Sequence, residues 1–195
     1  MDCTQLLKNL EQRGFATKYF ATAAEAAAYL ADEIKDETVG FGGSLTLQQM
    51  GLYELLQKNN TVFWHWKEPS DRDRFAEFTT YLTSANAVAQ TGELVNIDGI
   101  GNRLAASLYG AKKLYFVCGI NKIAPDLSEA IEQARNVAAP ANAKRLNKKT
   151  PCAVTGRCQD CNSPDRICRA MVIYMGPMMV SSCTEVIIVG ENLGV

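Results

Sequence analysis

The chain has 195 residues, enough for one domain, or one domain with an appendage, to fold without disulfide bridges. Hydrophobic residues make up 47% and charged residues 21% of the sequence, which is ordinary for a globular protein in water. The formal net charge of −1 provides no overall field that would attract nucleic acid or an anionic membrane. We therefore expect no nucleic-acid partner.

The sequence shows no targeting or membrane segment. The residues after Met1 lack the basic and apolar regions of a secretory signal. The longest late apolar run, 171–180, contains Gly176 and Pro177 and is too short to span a bilayer. These features predict a cytoplasmic protein. Its seven cysteines should then be reduced, metal-bound or catalytic rather than paired in structural disulfides.

Helices and strands alternate over the first 80 residues. Thr22 and Glu25 have the spacing of a capping box at the start of an alanine-rich helix. In chain order we predict a helix over 3–13, a strand over 15–21, a helix over 23–34, a strand over 38–41, a helix over 44–58, a strand over 61–66 and a helix over 70–80.

The central segment 84–103 combines small residues, amides and charges between apolar runs. The residues Thr91 and Gly92 form a turn signal between two short apolar stretches, which predicts a hairpin. The predicted elements are a strand over 86–90, a strand over 93–97, a turn at 98–99 and a helix that begins at 101 or 102 and ends at 110.

Polar side chains of this segment fall at the ends of its elements, where binding and catalytic groups tend to lie. Glu93 and Asp98 are candidate catalytic groups, acting as base or nucleophile. Asn86, Asn102 and Arg103 are candidate ligand-binding residues. Turn and capping residues without a ligand would give the same pattern, so the segment alone leaves both interpretations open.

The second half continues the alternation of strands and helices. The predicted elements are a strand over 113–119, a helix over 126–138 capped by Asp126 and ended by Pro140, a loop over 148–169, and strands over 171–174 and 185–189. This pattern predicts an α/β fold with a mainly parallel sheet flanked by helices. We divide the chain into an N-terminal helical segment, 1–35, and an α/β domain, 36–195, which includes a cysteine-rich loop, 150–169.

A glycine turn joins the predicted strand 38–41 to the next helix. The backbone N–H groups at such a turn bind anions, and Gly42 and Gly43 would let a ligand approach the backbone. Ser44 and Thr46 could donate their hydroxyls to the same anion. The sequence lacks the lysine of a phosphate-binding P-loop and the dinucleotide glycine pattern. A strand-to-helix turn with a serine cap is the alternative.

Two further groups of residues could meet an anion. Asn121 and Lys122 follow the strand 113–119, at the carboxyl end where open α/β sheets bind ligands. The segment 144–169 holds seven lysines and arginines against two aspartates. An anionic ligand or partner near this segment, or a solvated basic surface, would explain this excess of positive charge.

Four cysteines, Cys152, Cys158, Cys161 and Cys168, have the spacing C-x5-C-x2-C-x6-C in this basic segment. Four thiolates in one loop could hold zinc or an iron–sulfur cluster, although the spacing matches neither a zinc ribbon nor a bacterial ferredoxin. The neighbouring arginines would stabilise thiolates. Free or oxidisable thiols are the alternative.

His65 is the only histidine, which argues against a Ser-His-Asp triad and against a multi-histidine metal centre. It lies between Trp64 and Trp66 at the end of a predicted strand. We interpret the three residues as aromatic packing rather than as the surroundings of a catalytic base.

In combination, these motifs resemble the LUD (lactate-utilisation) domain family, in its small YkgG-like branch with a cysteine-bearing tail. The resemblance covers about residues 35–195 and is carried by Gly42-Gly-Ser44 with Thr46, Ser84-Ala-Asn86, Thr91-Gly-Glu93, Asp98 to Arg103, Gly119 to Lys122, Asn142 to Arg145, and Thr150-Pro-Cys152 to Cys168. It implies a fold like the group of ribose-5-phosphate isomerase, glucosamine-phosphate isomerase and CoA-transferase. It also implies a role beside iron–sulfur oxidoreductase subunits in lactate oxidation.

Three functional hypotheses follow. The chain is an accessory protein or subunit of a redox system for lactate or a related small acid, with an anion bound in a crevice. Alternatively, it is a stand-alone enzyme acting on a phosphorylated or CoA-like substrate. In the third hypothesis it is a non-catalytic binding protein whose cysteine loop is held together by a metal ion. The sequence leaves open whether the chain forms homo-oligomers.

Overall fold

The computed structural model describes residues 3–195. Met1 and Asp2, the first residues considered in the argument against a secretory signal, lie outside the described residues. Its helices are α1 (Thr4–Gln12), α2 (Ala23–Glu33), α3 (Leu45–Gln49), α4 (Leu52–Leu56), α5 (Asn102–Tyr109), α6 (Leu127–Gln133), α7 (Ala139–Arg145) and α8 (Pro151–Thr155). Its strands are β1 (Ala16–Phe20), β2 (Thr38–Phe41), β3 (Thr61–Trp64), β4 (Thr80–Thr83), β5 (Ala87–Ala89), β6 (Leu94–Asp98), β7 (Lys113–Gly119), β8 (Ile123–Ala124), β9 (Ala170–Tyr174) and β10 (Cys183–Val189).

The main sheet has six strands in the order β1-β10-β7-β4-β2-β3, and all five pairings are parallel. The predicted α/β fold with a mainly parallel sheet is confirmed. Along β7, Phe116 and Cys118 face the apolar cluster that includes residues of α1, whereas Tyr115 and Val117 face the cluster that includes residues of α2. This alternation buries both faces of the sheet, as parallel sheets require.

A second sheet has four strands in the order β8-β5-β6-β9. β5 and β6 form the predicted antiparallel hairpin, with Ala87 opposite Val95, and β9 pairs antiparallel to the other side of β6. The apolar side chains of this sheet pack against α6 and the helical residues that follow it. β6 is therefore hydrogen-bonded to a neighbouring strand on both edges, which fixes the position of its last residue, Asp98.

The N-terminal residues join the main sheet. β1 pairs with β10, and Leu6 and Leu10 of α1 are fully buried. Thr22 and Glu25 form the predicted capping box at the start of α2. The division of the chain at residue 35 stays a prediction, but the segment before it contributes a strand to the sheet.

Two predicted helices in the first half are wrong. The helix over 44–58 is divided into α3 and α4 because Gly51 takes a left-handed conformation with φ 63°. The predicted helix over 70–80 is a 3-10 turn that ends at Arg74, and β4 begins at Thr80. The buried apolar residues of β4 outweigh the local helical pattern.

Two boundaries in the second half also differ from the prediction. Pro140 does not end the helix that begins after Asp126. The chain passes through a π-helical turn, Ala134–Ala138, and Pro140 lies in the first turn of α7, where proline is tolerated. The segment predicted as loop contains α8, which begins at Pro151. No helix among residues 3–195 has the length and apolarity to span a membrane.

Candidate functional site

A crevice of about 490 Å³ opens at the carboxyl ends of β2, β3 and β4, between the end of β6, α7 and the loop before β9. Ligands bind at this edge in open α/β sheets. Its walls combine apolar and cationic side chains. The polar and charged residues that line it are His65, Arg72, Asn86, Asp98, Asn102, Arg103, Asn142, Arg145, Lys148, Asp165, Arg166 and Arg169.

Asp98 carries an unused acceptor in this crevice. Its Oδ1 accepts hydrogen bonds from the backbone N–H groups of Gly99 (2.7 Å) and Ile100 (3.3 Å). Its Oδ2 lies 3.4 Å from Arg103 Nε, close enough for an ion pair but without hydrogen-bond geometry. Within residues 3–195, Oδ2 is the one buried side-chain nitrogen or oxygen that has no hydrogen-bond partner. Burying such an atom costs free energy unless a ligand donates a hydrogen bond to it.

Arg103 and Asn86 hold fixed positions beside Asp98. Arg103 Nη2 donates to the carbonyl oxygen of Ile97, and the side chain is 16% exposed. Asn86 Oδ1 accepts a hydrogen bond of 2.6 Å from the N–H of Ile97. Asn96, a buried residue that the sequence analysis missed, accepts from the N–H of Asn86 and donates to the carbonyl of Ser84. The hairpin thus presents its polar end rigidly to the crevice.

His65 and Trp66 also line the crevice, contrary to our interpretation of His65 as simple aromatic packing. A Cβ atom on Gly43 would lie 3.1 Å from Trp66 Nε1 and 3.2 Å from His65 Nε2, so glycine lets both rings approach the turn. The signal that could have located His65 is its position just after β3, at the same sheet edge as Gly43.

The surroundings of His65 favour its neutral form. Burial and the nearby charges of Arg72 and Arg103 lower the pKa of His65, while Asp98 and Asp71 raise it by less. A neutral imidazole can accept a proton from a bound ligand, or gain one when an anion binds beside it.

Several cations also line the crevice. Arg145 lies over the ring of Trp66, 5.1 Å from its centroid, and donates to Asn142 Oδ1. Burial lowers the pKa of this guanidinium. Within the described chain, the side chains of Arg72 and Lys148 form no hydrogen bond or ion pair, so they are available to a ligand.

Several predicted site residues lie outside the crevice. Glu93 is at the opposite end of β6 from Asp98, where Arg13 and Thr91 bind its carboxylate. Ser44 Oγ accepts a hydrogen bond from the N–H of Leu47 and caps α3. Gly42 accepts a hydrogen bond from Trp64 Nε1 through its carbonyl.

Thr46 and Lys122 are buried behind the crevice, under the residues that follow β10, and the exposed Asn121 donates a hydrogen bond to one of those residues, Leu193. Of the nine predicted ligand-binding residues, four line the crevice, namely Gly43, Asn86, Asn102 and Arg103. Asp98 is the predicted catalytic residue that joins them there.

The four cysteines of the tail do not converge. Cys152 Sγ lies 3.3 Å from Thr150 Oγ1, and Cys158 and Cys168 line a second cavity of about 360 Å³. All four are free thiols, and residues 3–195 contain no group of three or more His, Cys, Asp or Glu side chains placed to hold a metal ion. In this arrangement they do not fit a zinc ion or an iron–sulfur cluster, and the metal centre stays a prediction.

The fold is an α/β domain with a six-stranded parallel sheet, which is consistent with the fold type of ribose-5-phosphate isomerase and the CoA-transferases. Residues 3–189 match the family model of the LUD domain, and the chain belongs to this family, which is linked to lactate utilisation. A comparison with curated proteins found no significant match.

A solved structure supports the fold. The crystal structure of a DUF162 family protein from Deinococcus radiodurans at 1.70 Å resolution is similar to this chain with a TM-score of 0.56. The two chains are 17% identical, and the likeness covers 97% of this chain and 99% of the other. At this level of identity the likeness shows the fold alone.

Proposed function

We propose that this protein binds a small hydroxy acid, lactate or a related compound, in the crevice beside Asp98 and Arg103. In this role it serves as an accessory protein or subunit of a redox system for that acid. The observation that carries the proposal is the unpartnered Oδ2 of Asp98, buried 3.4 Å from a guanidinium nitrogen.

A hydroxy acid offers the two groups that this pair requires. Its hydroxyl would donate to Asp98 Oδ2, and its carboxylate would accept from Arg103, with Arg72 adding positive charge. A 2-oxo acid such as pyruvate has the carboxylate but cannot donate to Oδ2. A buried acceptor left without a donor costs about 1–3 kcal/mol. Since each 1.4 kcal/mol corresponds to about tenfold in affinity, lactate should bind at least about fivefold more tightly than pyruvate.

Calorimetric titration of the purified chain with lactate and with pyruvate tests the proposal. Asp98→Asn should remove the preference for lactate, because one carboxylate acceptor becomes an amide donor. Asp126→Asn is the matched control, since it makes the same change at the cap of α6, where asparagine also caps well. Equal affinity of wild type for lactate and pyruvate, or an unchanged preference in Asp98→Asn, would contradict the proposal.

The size and charge of the crevice favour a second candidate, a phosphorylated or CoA-like substrate. A volume of about 490 Å³ exceeds what lactate would occupy, and Lys148 is left for a further anionic group. In the same titration, an organic phosphate that binds more tightly than lactate and is insensitive to Asp98→Asn would select this candidate. Turnover by the isolated chain would make the protein an enzyme in its own right.

The family link to lactate utilisation also suggests partners. We propose iron–sulfur oxidoreductase subunits, on the grounds of the family resemblance. Copurification of such subunits with the full chain from its own cells is the measurement that supports this part of the proposal.

A further inference from the structure

A buried group of reactive side chains lies at the carboxyl edge of the main sheet, outside the crevice. It contains the amine of Lys122, the hydroxyls of Thr46 and Ser84, and the thiol of Cys118, and all four residues are at most 5% exposed. Thr46 Oγ1 and Ser84 Oγ are 3.4 Å apart, and Ser84 Oγ lies 3.9 Å from Cys118 Sγ. These long distances leave the hydroxyls weakly bonded to one another.

Lys122 has no acidic partner among residues 3–195. Its Nζ donates one hydrogen bond of 2.9 Å to the carbonyl oxygen of Ala85, and no carboxylate of these residues shifts its pKa. Burial lowers the pKa of this amine, Cys118 raises it by less, and the charge of Arg103 lowers it further. A lowered pKa increases the fraction of the amine that is neutral, and a neutral amine is a nucleophile.

The residues 191–194, which we call the strap, cover this group. Asn121 Oδ1 accepts from the N–H of Leu193, Asn121 Nδ2 donates to the Leu193 carbonyl, and Gln49 Oε1 accepts from the N–H of Gly194. A Cβ atom on Gly194 would lie 2.6 Å from Thr46 Oγ1 and 3.1 Å from Lys122 Nζ. The backbone of Gly194 therefore occupies the space in which a small molecule would meet the amine.

We infer that the strap is a lid over a second site, in which Lys122 forms an imine with a small anionic carbonyl compound of the 2-oxo acid class. An anionic compound is favoured because the site lacks carboxylates and lies within the field of Arg103, while the hydroxyls of Thr46 and Ser84 can donate to a bound carboxylate. This inference does not depend on the proposed ligand of the crevice.

The reaction balances without an oxidant. The lone pair of the neutral Nζ attacks the carbonyl carbon, and the nitrogen loses a proton as the carbonyl oxygen gains one to give a carbinolamine. The hydroxyl of the carbinolamine takes up a second proton and leaves as water, while the nitrogen loses its remaining proton and forms the C=N bond. The Cβ position on Gly194 lies 2.6 Å from Thr46 Oγ1 and 3.1 Å from Lys122 Nζ, and Thr46 Oγ1 is 3.4 Å from Ser84 Oγ, so a molecule in that space could exchange these protons through the two hydroxyls.

Two glycines with the same positive φ provide a matched test. Gly194 and Gly156 both have φ +74°, but a Cβ on Gly156 would meet nothing within 4 Å. Gly194→Ala should push the strap away from Lys122, whereas Gly156→Ala imposes the same backbone strain elsewhere. Asn121→Ala opens the strap by a second route, since it removes both side-chain bonds to Leu193.

The assay incubates the full chain with pyruvate, reduces any imine with borohydride and locates the adduct by peptide mass spectrometry. We expect Lys122 to be labelled about tenfold faster in Gly194→Ala and Asn121→Ala than in wild type or Gly156→Ala, a factor that corresponds to about 1.4 kcal/mol. Lys122→Met should lose this adduct. Thermal unfolding must show that each variant is folded at the assay temperature.

Equal labelling of Lys122 in Gly194→Ala and Gly156→Ala would contradict the inference that the strap acts as a lid. Adducts confined to surface lysines, or no adduct in either strap variant, would overturn the imine site. Neither result bears on the binding of lactate in the crevice, which Asp98→Asn tests separately.

Discussion

Adjacent glycines in the turn after β2 allow the role of the crevice to be separated from the stability of the fold. At Gly43, a Cβ atom would lie 3.1–3.3 Å from the rings of Trp66 and His65 on the crevice wall. At Gly42, it would lie 2.8 Å from both Thr83 Oγ1 and Tyr81 Oη in the interior. A side chain at Gly43 should therefore disturb the ligand site, and one at Gly42 should disturb the core.

We predict that Gly43→Val folds but binds anions poorly. The valine methyl groups extend beyond Cβ and displace the two rings from their rotamers, which costs about 0.5–1.5 kcal/mol for each side chain. A displaced ring also fills part of the crevice, so affinity should fall about tenfold or more. Gly42→Ala should overpack the core at a cost of about 1–3 kcal/mol. For a chain of this size that cost lowers Tm by about 2–12 °C.

The assay combines thermal unfolding with the ligand-induced shift in Tm produced by lactate, phosphate and sulfate. Gly43→Val should lose most of the ligand-induced shift measured from its own unliganded Tm, whereas Gly42→Ala should lower the unliganded Tm and keep the ligand-induced shift. Gly43→Ala is the graded control, because a Cβ alone makes contacts that are only slightly too close. An unchanged ligand shift in Gly43→Val would refute the placement of the ligand beside this turn.

Two further predictions concern pH and metal. A bound anion should raise the pKa of His65, which lies below the usual value of 6.5 in the free protein. Anion affinity should therefore increase as the pH falls through the pKa of the complex and level off below the lower pKa of the free protein, a dependence that calorimetry should find absent in His65→Asn. If the cysteine segment closes on a metal despite its open arrangement, anaerobic protein should contain one equivalent of metal, lost in Cys161→Ser. Less than about a tenth of an equivalent would identify free thiols.

The elements that the sequence predicts correctly are those whose signals are local. The capping box of Thr22 and Glu25, the turn at Gly92 and the apolar run of β7 each specify a helix start, a hairpin or a buried strand within a few residues. Parallel pairing then follows from the alternation of strands and helices. These signals are sufficient for the fold class.

The errors arise where distant packing decides the structure. The residues 75–80 continue a charged helical pattern, but Phe78 is buried against the ring of Tyr81 and the chain turns into β4 beside β2 and β7. Pro140 is a helix breaker only in a helix interior. Here the π-helical turn before it places proline in the first turn of α7, where no hydrogen bond is lost.

The candidate site was predicted only in part, because sequence neighbours need not be neighbours across a strand. Glu93 and Asp98 flank the same strand, but five residues of extended chain separate them by roughly 16 Å. Only Asp98 lies at the crevice. Conversely, His65 is 33 positions from Asp98 in the sequence, yet Asp98 raises the pKa of His65 because β3 and β6, which belong to different sheets, both end at the crevice.

The carboxyl edge of the main sheet therefore carries two chemically different environments. The crevice has a free carboxylate oxygen, exposed cations and an opening to solvent, which suit reversible binding of a hydroxy acid. The group around Lys122 has an amine without a counter-ion, weakly bonded hydroxyls and a lid, which suit a slower reaction with a carbonyl compound. Arg103 links the two, because it lies beside Asp98 and also lowers the pKa of Lys122. A ligand that neutralises Arg103 in the crevice should raise the pKa of the Lys122 amine, so that occupation of one site reduces the reactivity of the other.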